Sequence, residues 1–252
     1  MTQYISDVER TPFSLDPKYS LDGVEFEQGA NKVTDKGLQT VKNEAEAFKE
    51  KYVGTLLDEV YDPLSLYVRA QYENVPISGA YAFMMSLYPE TADGLDLMKG
   101  YVAIDASSLP ITSDELNGLR DRLGLGLPTD DKQNVDVYPG NPDLLFTQGV
   151  AKNFPNWKPV LDEMRKNSLT QFEGKYPNFF LDLRKALDKE GEDSNANVLF
   201  YLDFYNQAVA NGQYNALSGD LAQQEKEYFQ ALFPQKESYT RVLANAYLKH
   251  VV

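Results

Sequence analysis

Apolar side chains recur at three- and four-residue steps through several segments of the chain, the spacing of an amphipathic helix. The clearest stripe comprises Leu38, Val41, Ala45, Phe48 and Tyr52. It follows Thr34-Asp35-Lys36-Gly37, and a threonine placed there can cap the free N–H groups of a first helical turn. The pattern therefore predicts a helix that begins near residue 35. A second helix is predicted from Pro76 to about Pro89, since proline suits a first helical turn.

Short runs rich in strand-forming residues separate these helices. They lie at residues 4–6, 64–69, 101–104 and 134–138, and the third could also be a buried connection. Strands that alternate with helices are typical of a parallel sheet. Beyond about residue 150 the pattern predicts helices only, at 156–167, 176–190, 195–211, 218–232 and 236–250.

The predicted fold class is therefore α/β: a mainly parallel sheet flanked by helices, with a helical subdomain. We expect residues 1–150 to form the α/β core and residues 151–235 the helical subdomain. Residues 236–252 are expected to form a C-terminal helix that returns to the core.

Composition restricts the chemistry. The 252 residues include no cysteine and one histidine, His250, so thiolate catalysis, Cys-ligated metals and mechanisms that need two imidazoles are excluded. The net charge of −14 disfavours binding to nucleic-acid phosphates. No apolar run approaches the roughly 18 residues of a membrane span, so no direct span is predicted. We predict no metal and no cofactor.

Several motifs in the first half resemble those of one enzyme family. They are Val8-Glu9-Arg10-Thr11-Pro12, Val33-Thr34-Asp35-Lys36-Gly37-Leu38-Gln39, Leu66-Tyr67-Val68-Arg69, Gly79-Ala80-Tyr81-Ala82-Phe83 with Leu87-Tyr88-Pro89, and Val135-Asp136-Val137 with Asn141-Pro142-Asp143-Leu144-Leu145. They resemble the histidine acid phosphatases, branch 2 of the histidine phosphatase superfamily, with their R-H-G-x-R-T-P loop, L-T-x-x-G-x-x-Q helix start and L-Y-P helix end. The match extends to about residue 155, and it implies a histidine phosphatase-like fold.

The resemblance also implies that the catalytic set is lost. Ser6, Asp7 and Val8 stand where the family has its first Arg, its nucleophilic His and its Gly, and Val75 stands where it has a further phosphate-binding Arg. Arg10 alone keeps its identity. Because phosphoryl transfer depends on positive charge around the phosphate oxygens, a pocket with these residues is expected to be inactive.

The C-terminal helix resembles the one that precedes the family's His-Asp pair, in which the Asp donates a proton to the leaving group. That pair is absent from the 252 residues, which end at Val252. By this resemblance the chain is a shortened member. Either a partner covers the sheet edge thereby exposed or the fold has adapted to its absence.

Two alternative interpretations assign the chain a catalytic reaction or a bound ligand. Asp7-Val8-Glu9-Arg10-Thr11 partly matches the D-x-D-x-T loop of haloacid dehalogenase-type phosphatases, which would make Asp7 a nucleophile beside Mg²⁺. Alternatively, Arg10 and Arg69 could hold a ligand in the old pocket of a binding module, although a structural role with a carboxylate or backbone partner is the preferred interpretation of Arg69.

The preferred interpretation is a non-catalytic pseudophosphatase that acts as a structural or accessory subunit of a larger assembly, with other protein subunits as partners. Nine aromatic residues crowd the helical half: Phe172, Tyr176, Phe179, Phe180, Phe200, Tyr201, Phe204, Tyr205 and Tyr228. Aromatics of this kind are enriched at interfaces, although packing of helix on helix explains each one equally well. Since the family's enzymes are usually secreted and disulfide-bonded, the lack of cysteine indicates a protein that is not secreted. A mitochondrial membrane complex is the expected setting, with the cytoplasm as the alternative.

Overall fold

The computed structural model describes residues 8–61, 68–70, 73–89, 92–93, 111–125, 134–135, 137–139, 157–187, 189 and 198–232. These residues form seven α-helices: α1 (Asp35–Tyr52), α2 (Asn74–Leu87), α3 (Ser113–Arg122), α4 (Trp157–Lys175), α5 (Phe179–Ala186), α6 (Val198–Ala210) and α7 (Gly219–Leu232). They also form four short strands: β1 (Val68–Ala70), β2 (Ala92–Asp93), β3 (Asn134–Val135) and β4 (Val137–Pro139).

The two predicted N-terminal helices are confirmed. Thr34 caps α1, its Oγ1 accepting a hydrogen bond from the Gly37 N–H at 3.2 Å. The predicted stripe from Leu38 to Phe48 is buried against α2, where the rings of Phe48 and Phe83 lie 5.5 Å apart. α2 ends at Leu87, close to the predicted stop at Pro89.

The predicted mainly parallel sheet is wrong. The described strands are two or three residues long and form two separate parallel pairs, β1 with β4 and β2 with β3. α2 is buried around almost its whole circumference, and α1 and α3 pack against it. Helices thus supply the burial that the prediction had assigned to a sheet. The predicted strands at 4–6 and 101–104 lie outside the described residues.

The helical second half is largely confirmed, with shifted limits. α4 extends to Lys175, beyond the predicted 167, while α5 ends at Ala186 and α6 and α7 match closely. The predicted helix at 236–250 lies outside the described residues. No helix in the described part of the chain has both the length and the apolar character that crossing a membrane requires.

The buried apolar side chains fall into two clusters. The first joins α1, α2 and α3. The second joins helices α4 to α7 and also takes in Tyr19, Leu21 and Val24 from the loop that precedes α1. The loop that precedes α1 therefore contributes buried side chains to the second cluster as well as to the first. The domain limits at 150 and 235 stay predictions.

α3 is fastened to the segment that precedes α1. Lys32 pairs with Glu115, which also forms a capping box with Thr112. Arg122 donates hydrogen bonds to Asp35 Oδ1 at 2.7 Å and to the Val33 carbonyl at 2.8 Å. Two ion pairs thus hold α3 against the start of α1.

The Lys32–Glu115 pair predicts a loss of stability in acid. Partial burial raises the pKa of Glu115, but the Lys32 ammonium and the Thr112 N–H together lower it below the ordinary 4.5. The stabilisation is therefore present above pH 4.5 and is lost as the pH falls through the lowered pKa of the folded state. Because both side chains are partly exposed, Glu115→Gln should cost at most about 1 kcal/mol at pH 7. Urea titrations at several pH values should show this difference vanishing in acid, and a difference that persists unchanged would contradict the assignment.

Candidate functional site

Two of the residues that suggested a site, Val8 and Arg10, lie in a loop beside the N-terminus of α1, residues 8–13, called here the first loop. Its backbone is tied to the residues just before the helix. The Glu9 carbonyl accepts a hydrogen bond from the Thr34 N–H at 3.1 Å, and Arg10 forms an antiparallel bridge with Val33. The Thr11 N–H donates to the Lys32 carbonyl at 2.7 Å. The position of the first loop is thus fixed by main-chain hydrogen bonds.

Two glycines allow the first loop to lie against two helices. A Cβ at Gly37 of α1 would come within 2.2 Å of the Glu9 carbonyl oxygen and 2.8 Å of Val8 Cγ1. A Cβ at Gly79 of α2 would lie 3.1 Å from Val8 Cγ2. Val8 therefore occupies a space bounded by α1 and α2 that any larger residue at Gly37 would close. The structure thus brings together three of the segments on which the sequence comparison depended.

Arg10 is engaged by α6. Both of its terminal guanidinium nitrogens reach the carboxylate of Asp203, one as a close ion pair and the other at 3.4 Å. The same carboxylate accepts a hydrogen bond from the Phe13 N–H at 2.7 Å. The Asn211 side-chain amide also donates to the Arg10 carbonyl at 3.1 Å. The first loop is thus joined to α6 through the side chain of Arg10, and to Asn211, the residue that follows α6, through the backbone of Arg10.

The guanidinium of Arg10 has its other directions filled as well. One nitrogen donates to the Thr11 carbonyl at 2.9 Å, and the group lies 3.6 Å from the centre of the Phe13 ring. The Arg10 and Asp203 side chains are 16% and 13% exposed, so the pair is largely withdrawn from water. A partly buried, two-pronged pair of this kind neutralises its own charge. Arg10 therefore adds no free positive charge to the loop.

The acidic residue beside Arg10 is differently placed. Glu9 Oε2 is buried and makes no hydrogen bond within the described residues. Asp7, which stands at the position of the family's nucleophilic His, lies outside the described residues, as does Ser6. The described part of the loop thus combines a neutralised arginine with a carboxylate oxygen that lacks a donor, an arrangement unfavourable to a phosphate group.

The remaining predicted positions are dispersed. Val75 lies in the first turn of α2, is 8% exposed and belongs to the first apolar cluster. Arg69 lies in β1, where its backbone is in register with Tyr138 of β4. Its side chain is not among the described parts of the structure. The structure therefore places Val8 and Arg10 in the first loop, while Val75 is part of the core.

The residue that sequence reasoning missed is Asp203. α6 has the sequence VLFYLDFYNQAVA, in which Asp203 is the one charged residue. A lone carboxylate in an otherwise uncharged helix is a signal that it has a specific partner, because burying an unpaired charge is costly. The sequence alone does not say which cation that partner is, since Arg10 lies 193 positions away.

Comparisons with known proteins do not assign the chain to a group. No protein-family model matches it, and no curated protein matches it. Within the described ranges, no group of three or more His, Cys, Asp or Glu side chains is placed to hold a metal ion.

Proposed function

We propose that this protein is non-catalytic and serves as a structural or accessory subunit of a larger protein assembly. The observation that supports the proposal most strongly is the engagement of Arg10 by Asp203 and Phe13. If the first loop derives from a phosphate-binding loop, as the resemblance to histidine acid phosphatases implies, its one retained arginine now links two parts of the same chain. Such a loop stabilises a structure and holds no substrate.

The electrostatics of the loop support the same proposal. Transfer of a phosphoryl group needs preorganised positive charge around its oxygens. Arg10 is neutralised, Glu9 adds a buried carboxylate oxygen without a donor, and an arginine at the Val75 position would have to be buried in the apolar core. The pairing of Arg10 also counts against the alternative of a ligand-binding module that uses this residue.

We expect the purified protein to hydrolyse no phosphomonoester at acid or neutral pH. p-Nitrophenyl phosphate, with and without Mg²⁺, should be turned over at the rate of a buffer control. Restoring the family pattern through Ser6→Arg, Asp7→His, Val8→Gly and Val75→Arg together should leave activity at that level, because Arg10 stays neutralised by Asp203 and an arginine at position 75 would lie in the apolar core. Turnover by wild type with Mg²⁺ that is lost in Asp7→Asn would contradict the proposal and favour an aspartyl nucleophile.

The accessory role is tested by the size of the native protein. The free chain has a mass of 28.5 kDa. In a gently prepared extract of its source, gel filtration followed by immunodetection should place the protein at several times that mass. The purified recombinant chain, run alone, shows whether the chain self-associates. The same chain mixed with buffer-exchanged extract shows whether it joins other proteins. Elution of the native protein at the mass of the free chain would contradict the accessory role.

A further inference from the structure

An exposed apolar patch adjoins the Arg10–Asp203 pair. Phe13, Leu199 and Phe200 are 53%, 47% and 42% exposed, and these three residues are called here the Phe13 patch. Phe13 is joined to α6 through its N–H, which donates to Asp203. Leu199 lies one helical turn before Asp203, on the same side of α6. Phe200 stacks on Tyr19, with ring centres 4.9 Å apart. Leu199 and Phe200 are thus neighbours in the first turn of α6, and Phe13 adjoins the same helix one turn further on, at Asp203.

The patch is unlike the remainder of the aromatic set. Of the nine aromatic residues that crowd the helical half of the sequence, Phe200 is the one that is exposed, whereas the others belong to the second cluster or pack against it. From their exposed fractions the three side chains present on the order of 250 Å² of apolar surface, slightly less than the roughly 300–600 Å² of the largest apolar patch on a typical monomer. The area suffices for the anchor of an interface whose rim is polar.

The rim of the patch is acidic. The segment from Phe13 to Glu27 lies across α6, where Tyr19 contacts Phe200 and Tyr201, and Phe26 contacts Phe204. Its exposed charged residues are Asp16, Lys18, Asp22, Glu25 and Glu27. Lys18 is paired with Asp16 at 3.1 Å, which leaves three exposed carboxylates on this segment without a neutralising lysine. This segment reaches from the patch to the C-terminal end of α6, where the Gln213 side chain donates to the Glu25 carbonyl, so net negative charge lies along α6 beside the patch.

The charge decides between possible occupants. A second copy of the chain, an anionic membrane surface and a nucleic acid would each bring negative charge against this rim and against a protein of net charge −14. A positively charged protein surface would be attracted instead. A helix with apolar residues on one face and Lys or Arg beside them satisfies both features of the surface at once.

We propose that the Phe13 patch is the docking site for a cationic amphipathic helix of a partner protein. The apolar face of that helix covers Phe13, Leu199 and Phe200, and its basic residues lie over Asp22, Glu25 and Glu27. The inference deepens the proposed accessory role and rests on it. It names the surface through which the chain joins its assembly and the chemistry of the segment that it meets.

The test uses the purified full chain and a fluorescent synthetic peptide of about 20 residues, with Leu on one helical face and Lys beside it. At about 0.15 M salt the peptide should bind saturably, as measured by anisotropy, and a peptide with Glu in place of Lys should not bind. Leu199→Lys should weaken binding about tenfold or more. Leu181→Lys provides the matched control, since Leu181 is 46% exposed on α5 and the charge change is identical. The control should change the affinity by less than about threefold.

Three results would overturn the inference: no binding of the Lys peptide, equal binding of the Glu peptide, or equal weakening by the two lysine variants. The last would mean that only net charge matters. Should Leu199→Lys fail to match the circular dichroism of wild type, Glu25→Lys tests the rim instead, with a several-fold loss of affinity expected. Since the peptide assay contains no native partner, it tests only whether the Phe13 patch binds a cationic amphipathic helix. Gel filtration of the native protein tests the accessory role separately.

Discussion

Replacing Gly37 with alanine is expected to lower the free energy of unfolding by about 3 kcal/mol or more. The added methyl group would lie 2.2 Å from the Glu9 carbonyl oxygen, a main-chain atom that hydrogen bonds from Thr34 hold in place. The first loop would have to move away from α1, which would break those bonds and displace Val8 from between the two helices. Urea unfolding followed by circular dichroism measures the loss.

Gly118→Ala is the matched control for this variant. Gly118 lies inside α3, and a Cβ there would meet no atom within 4 Å. Because alanine favours a helix more than glycine does, this variant should equal wild type or gain up to about 1 kcal/mol. The same methyl group is thus expected to have opposite effects at two helical glycines. A Gly37→Ala protein as stable as wild type would mean that the first loop is not held against α1.

The second large effect is expected at Asp203. Asp203→Ala removes the partner of a largely buried guanidinium and the acceptor of the Phe13 N–H. Breaking a buried ion pair from one side costs about 3 to 5 kcal/mol, and the low end applies here because the pair keeps some exposure. Asp121→Ala, an exposed aspartate of α3 with no described side-chain partner, should stay within about 0.5 kcal/mol of wild type.

A double-mutant cycle separates the pair from its surroundings. If Arg10 and Asp203 stabilise the protein chiefly through each other, Arg10→Met with Asp203→Leu should be less destabilised than the sum of the single variants. Additive losses would show that the two residues act independently. The account of Arg10 as a link between the first loop and α6 would then fail.

The parts of the fold that were predicted correctly depend on local patterns. The stripe from Leu38 to Phe48 and the cap at Thr34 lie within one segment, so the sequence near α1 contains everything that the prediction required. The predicted sheet failed because short strand-forming runs do not specify which strands pair: the described strands form two separate pairs, and helices α1 and α3 pack against the buried α2. Val68 and Arg69 of the predicted strand at 64–69 do belong to β1, and residues 64–67 lie outside the described residues.

The candidate site could be predicted only in part for a related reason. The loss of a phosphate pocket, inferred from residue types, stays a prediction; the structure shows that Val8 and Arg10 lie in the first loop and that Val75 lies in the apolar core. The partners that explain those surroundings are distant in sequence: Asp203 is far from Arg10, and Gly79 is far from Val8. Nothing in the periodicity near residue 10 indicates that α6 will lie against it.

Purification of the tagged protein from its source under native conditions, with quantitative mass spectrometry, is the most direct test of the proposal that this chain works as a subunit. We predict a constant set of proteins recovered in fixed ratio to the chain, including one with a basic amphipathic helix that is lost with Leu199→Lys and kept with Leu181→Lys. Recovery of the chain alone, at its monomeric mass, would contradict it.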